Sequence, residues 1–208
     1  SARAEVPNVV ASIAPVHSLV ASVMQGVGEP TLLIPANVSE HDYALKPSDV
    51  RAIANADLMV WVGESLETYL VRPIETEAVA NLELIAAPGI DPHPYGEEGG
   101  HEHEEHGAEA DALDHDTEDG HAHGHIGLDP HVWLDPVRAQ AIVKAVAEKL
   151  AAVDAENAAR YRANAEAINA ELSALNEEVA AQLPPGAEKP FVTFHDGYSY
   201  FVERYGLN

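Results

Sequence analysis

The chain contains no cysteine. Neither a disulfide framework nor a thiolate metal site is open to it, so any transition-metal site must be built from histidine and carboxylate. Bases are scarce as well: 11 Lys and Arg stand against 35 Asp and Glu. The resulting net charge of −24 opposes nucleic acid and anionic membrane surfaces and attracts cations. No apolar run is long enough to span a bilayer. What is present is 208 residues, 46% of them hydrophobic, enough for one ordinary domain or for one lobe and part of another.

Half of the negative charge is local. Twelve acids and no base lie between Gly96 and Asp129, which leaves the rest of the chain only moderately acidic. Inside that interval HEHEEHGAEADALDHDTEDGHAHGH carries seven histidines, His101, His103, His106, His115, His121, His123 and His125. Imidazole nitrogens and neighbouring carboxylates suit Zn, Cu, Ni or Co, with many ligand sets open and no defined geometry. Glycines are frequent and large apolar residues almost absent, so burial cannot offset the entropy of ordering. A disordered surface loop over 96–127 is expected, its histidine-rich composition pointing to metal; a solvated acidic run without a binding role is the plain alternative. At the other end, SARAEVPN holds Ala2-Arg3-Ala4, the pattern that signal peptidase cuts, which would make Glu5 the mature start of an exported protein.

The first part of the chain alternates strand and helix. Asn8 to Ala14, Pro30 to Ile34, Ala56 to Gly63 and Asn81 to Ala87 are apolar, partly β-branched runs expected as strands. Helical spacing runs from Pro15 to Val27, and Pro47 opens a second helix with Val50, Ile53 and Ala54 as its stripe. Such alternation predicts an α/β fold with a parallel sheet covered on both faces. After His131 the pattern is helical: Ile142, Val146, Leu150 and Val153 line one helix begun by Asp135-Pro136, and Asp154 can cap a second. That second helix keeps Tyr161, Ile168, Leu172, Leu175, Val179 and Leu183 on one face until Pro184-Pro185. A rod of about 42 Å is long for a covering helix and suits a connector between lobes. KPFVTFHDGYSYFVERYGLN reads as one strand and one helix.

Three further histidines occupy element ends: His41 in VSEHDYALKPSD, His131 in LDPHVWLDP and His195 in VTFHDGYS. Ligands of open parallel sheets gather beyond the carboxyl ends of the strands, where such positions fall. Each has an acid nearby, Asp42, Asp135 and Asp196, able to accept from a ring nitrogen that does not bind metal. Spacing alone does not bring the three together.

Taken in order, SEHDYALKPSDVRAIANADLMVWVG, the acidic histidine run, LDPHVWLDP and FHDGYSYFVERYGL resemble the zinc-specific periplasmic substrate-binding proteins of ABC transporters, the ZnuA type of cluster A-I. The resemblance covers nearly the whole chain. It implies two parallel-sheet α/β lobes joined by a long rigid helix, with the second lobe truncated here. The expected division is an N-terminal lobe over 5–134, a helical connector over 135–183 and the start of a C-terminal lobe over 190–208. It also implies a non-enzymatic, monomeric, periplasmic protein that captures Zn2+ as transported ligand and passes it to a membrane ABC permease, with a periplasmic zinc chaperone as a further partner and no nucleic acid. The family's three histidine ligands fall on His41, His131 and His195. The fourth position varies among water, a carboxylate near the first histidine, here Glu40, and a late aspartate, which has no counterpart before Asn208. The seven loop histidines are expected as an auxiliary set.

A manganese-binding relative is the nearest rival, but it places a carboxylate where His195 stands, and a third imidazole favours zinc. A zinc hydrolase with Glu40 as base is a further alternative, although no HExxH helix or nucleophile setting is present. Adhesion or scaffolding would explain the acidic loop and leave the three histidine contexts idle.

Overall fold

The structure is a computed structural model and describes residues 6–41, 43–77, 79–94, 127–183 and 187–208. The histidine-rich run, Ala2-Arg3-Ala4, Glu5 and Asp42 lie outside the described residues.

Four short strands form one parallel sheet: β1 (Val9–Ala11), β2 (Thr31–Leu32), β3 (Leu58–Trp61) and β4 (Asn81–Glu83), in the order β2-β1-β3-β4. The central strands β1 and β3 are buried along their whole length, which is why they read as unbroken apolar runs rather than as alternating ones. All four fall where the sequence places them, though each is shorter.

Helices α1 (Ala14–Val23), α2 (Pro47–Ala54) and α3 (Glu64–Glu77) are the crossovers. The step from β1 to β2 runs opposite to the steps from β2 to β3 and from β3 to β4. Right-handed crossovers therefore set α1 on one face and α2 with α3 on the other. Packing agrees: α2 lies against α3, and α1 lies against α4 (Pro136–Val153) and α5 (Ala158–Gln182). The expected Pro47 helix is present, with Pro47 in its first turn and Asp49 accepting from the Lys46 amide at 2.8 Å. At the end of β3 the chain turns through Gly63, whose φ of +145° and close approach to Glu83 and Ile85 leave no room for a side chain.

Asp135 caps α4 by accepting from the Val137 amide, with Pro136 in the first turn. The inner face of α4, Ile142, Val143, Val146 and Leu150, is buried in the same core as the sheet, while Val153 is exposed. Asp154 takes the Asn157 amide and the Tyr161 hydroxyl, as a capping residue should. The 25 residues of α5 give about 38 Å. Its first turns bury Tyr161 and Ala165, Ile168 and Leu172 pack at the core margin, and Leu175 is exposed. Burial therefore falls along the helix, although Gln140 of α4 still donates to the Asn169 carbonyl and the Ser173 hydroxyl.

One expected element is absent. Phe191 to Phe194 form no strand; Val192 and Phe194 are fully exposed, at 97% and 108%. A strand exists through hydrogen bonds to a neighbour, and no described segment pairs with this one. His195 accordingly sits on a bend of the chain and not at a strand end. The helix expected after it is α6 (Ser199–Tyr205), closed by Gly206 in the left-handed conformation.

Candidate metal centre

His41 belongs to the connection that leaves the carboxyl end of β2, where Leu33 to Lys46 form neither helix nor strand in their described residues. His131 precedes a short 3-10 turn (Val132–Leu134) that leads into α4. His195 stands four residues before α6. Folding brings one ring nitrogen of each within 4.8 Å of the others, the one such cluster of three or more metal-ligating residues among the described residues. Ring centroids are 5.0 Å apart for His131 and His195, 5.2 Å for His41 and His195, and 6.0 Å for His41 and His131. Burial is graded: His131 is 3% exposed, His41 is half-buried and His195 is exposed.

The chemistry of His131 is set by Asp129. The Nδ1–H of His131 donates to Asp129 Oδ1 at 2.7 Å, and the same oxygen accepts the His131 amide at 3.0 Å. Holding the proton on Nδ1 directs the Nε2 lone pair outward. That lone pair accepts the Nε2–H of His195 at 3.0 Å. Two nitrogens bound to one tetrahedral zinc at ~2.0–2.1 Å would stand about 3.3 Å apart, so the pair is near the spacing a shared ion requires. Sharing an ion in this way would require the His195 proton to sit on its Nδ1.

Burial pushes the Asp129 carboxyl up, but the His131 side chain, the Ser199 hydroxyl and the His131 amide outweigh it and hold the group below its ordinary value. Ser199 donates to Asp129 Oδ2, and Tyr200 donates its hydroxyl to the Asp129 carbonyl at 2.7 Å. The start of α6 is thus docked on the residue that orients His131. Arg204 adds two hydrogen bonds to Asp135, and Arg138 adds a third.

One sequence expectation changes here. Asp135 was expected beside the His131 ring; it instead caps α4 and pairs with Arg138 and Arg204, because Asp129, two residues before His131, has the Asx-turn spacing that reaches both the amide and the ring. LDPHVWLDP offered one Asp on each side of His131, and only this turn geometry separates them. Glu40 is not part of the three-histidine cluster; its carbonyl accepts from the Tyr69 hydroxyl at 2.8 Å. Gly197 carried no expectation, yet a side chain there would meet Cδ2 of His131 and of His195 at 3.0 Å. The auxiliary histidines His101 to His125 lie outside the described residues, but the segment's two flanks meet: Pro94 bridges Leu128, and the Asp129 amide donates to the His93 carbonyl at 2.9 Å.

Residues 9–208 match the family described as zinc-uptake complex component A, periplasmic. The chain is 43% identical to the high-affinity zinc uptake system protein ZnuA of Brucella abortus (strain 2308) over 224 residues, spanning 100% of this chain and 67% of that protein. It is likewise 43% identical to the protein of the same name from Paracoccus denitrificans (strain Pd 1222), over 99% of this chain and 66% of that one. Among solved structures, Zn(II)-bound AdcA from Streptococcus pneumoniae superposes with a TM-score of 0.77 at 26% identity, over 98% of this chain and 38% of that one. The chain thus spans about two thirds of the length of the two curated relatives. By the extent of that family match and by its identity to these relatives, the chain belongs to the periplasmic component A family of zinc-uptake complexes.

Proposed function

We propose that this chain captures Zn2+ with His41, His131 and His195 and, within a longer periplasmic protein whose signal peptide is removed, presents the ion to a membrane ABC permease. The observation that carries the reading is the pair of Nε2 atoms 3.0 Å apart, with the His131 proton held on Nδ1 by Asp129. Three neutral imidazoles are a zinc donor set, whereas manganese prefers more oxygen. The relatives' names, which speak of zinc uptake, support the same reading. The fourth ligand is water or the Glu40 carboxylate. We assign the connector role to the helical segment 135–183 and the start of a second lobe to 190–208, where Phe191, Val192 and Phe194 expose apolar surface. The protein acts as a monomer, and the run from His101 to His125 serves as a weak collector whose stem meets at Pro94 and Leu128, close to His131.

Chelator competition on the chain tests the site. Alanine at any one of the three histidines should lower zinc affinity sharply, and manganese should compete poorly. Three single variants that all match the parent would end the proposal. Deleting 101–125 should remove weak additional sites and spare the tight one; loss of the tight site would reject the collector role.

A further inference from the structure

His41 differs from its two partners in how it is held. His131 is buried against Asp129 and the start of α4, and His195 follows onto α6, which Arg204 and Tyr200 fasten down. His41 instead rides on the long connection between β2 and α2, where Pro35 to Ser39 are exposed. A ligand on such a loop costs ordering entropy on every binding event unless the rest of the fold fixes the loop beforehand.

We propose that Tyr69 is the positioning residue for His41, an inference that rests on the three-histidine reading of the site. Tyr69 lies on α3 and touches the chain on both sides of His41. Its hydroxyl donates to the Glu40 carbonyl at 2.8 Å, one residue before, and its ring packs against that of Tyr43, two residues after, with centroids 6.2 Å apart. Tyr43 is itself anchored, buried in the core and donating to Asp49 of α2 at 2.9 Å. The loop is therefore gripped by one side chain from a different element at residues 40 and 43, with His41 between.

The grip is useful because α3 is rigidly tied to the sheet. Glu67, two residues before Tyr69, is fully buried, and its Oε2 accepts the Val62 and Gly63 amides at 2.7 and 3.2 Å, just beyond β3. The backbone of Glu67 is non-helical, with φ −122° and ψ 51°, so the helix changes direction between its first turn and Tyr69. Leu66, Leu70 and Ile74 bury the inner face. A continuous path thus runs from the end of β3 through Glu67 and Tyr69 to Glu40 and His41. Tyr69 acts on the ion through the backbone that carries His41.

The test is a double-mutant cycle by chelator competition with zinc on the chain, using the parent, Tyr69→Phe, His41→Ala and the double variant. Phenylalanine keeps the ring packing on Tyr43 and deletes only the hydroxyl. Zinc affinity should fall about fivefold in Tyr69→Phe, the worth of one neutral hydrogen bond, mostly through faster release. In the His41→Ala background the same change should have no further effect, because the group that Tyr69 positions is gone. A purely structural tyrosine would lower the melting temperature in both backgrounds and leave affinity alone. Tyr69→Phe matching the parent, or losing fivefold with and without His41, overturns the positioning role. If His41→Ala binds zinc as tightly as the parent, the three-histidine site falls and the positioning role with it; that result is distinct from a failure confined to Tyr69.

Discussion

Adding one methyl at Gly197 is the most direct structural challenge to the site. A Cβ there would lie 3.0 Å from Cδ2 of His131, 3.0 Å from Cδ2 of His195 and 3.1 Å from Nε2 of His131. The φ of Gly197 is outside the left-handed region, so contacts and not backbone strain set the effect. Such contacts are tighter than side chains ordinarily accept, so a ring or the 195–197 backbone must yield by a few tenths of an ångström. His131 has little room to do so, being buried and held by Asp129 at 2.7 Å. The displacement therefore falls on His195, and it is at least as large as the ~0.2 Å over which metal-ligand distances hold. Gly197→Ala should weaken zinc binding by about 10- to 100-fold, comparable to losing an outer-shell partner of a ligand. The melting temperature of the metal-free chain should barely change, since the site is at the rim of the core. Chelator competition and thermal melts measure the two quantities side by side. Zinc affinity within about twofold of the parent would refute the reasoning, for the rings would then tolerate the shift that geometry demands.

Other perturbations follow from the same contacts. Asp129→Asn keeps the shape and removes the charge that holds the His131 proton on Nδ1, and zinc affinity should drop by about 10- to 100-fold; an unchanged chelator competition would show that the carboxylate is dispensable. Burial raises the Glu67 carboxyl from 4.5 to about 7, so the folded chain keeps that proton longer than the unfolded one. Its contribution is full below pH 4.5 and is lost as pH rises through 7, and Glu67→Gln should flatten the dependence of melting temperature on pH across that window. Superimposable profiles for parent and variant would contradict the buried-acid assignment. Burial raises the Asp135 carboxyl, but Arg204, the Val137 amide and Arg138 together outweigh it and hold the group below its ordinary value; its stabilisation is present above the unfolded carboxylate range and is lost as pH falls below about 4. Arg204→Gln should therefore cost about 1–2 kcal/mol in urea unfolding at pH 7 and much less at pH 3, and an equal deficit at both values would argue against the pair.

Local and periodic features were legible without a structure. Four apolar runs separated by helical spacing predict the parallel sheet, because buried central strands leave no alternation and their crossovers must be helical. Asp135-Pro136 and Asp154 mark helix starts through the chemistry of their own side chains. The three histidine contexts stand out as element ends, and the ordered motifs point to the family. Other features depend on residues far apart in sequence, and no periodicity carries them. Phe191 to Phe194 has the composition of a strand, but a strand is a relation between two segments, and no described neighbour supplies the other half. The approach of His131 to His195 spans 64 residues, and the distance between their Nε2 atoms follows from α6 docking on Asp129 and Asp135. The support of His41 by Tyr69 joins residues on separate crossovers. Sequence by itself determined which residue types were available and which elements could form; tertiary structure decided which acid serves His131, where His195 sits and how closely Gly197 must approach, because those depend on packing distances of a few tenths of an ångström.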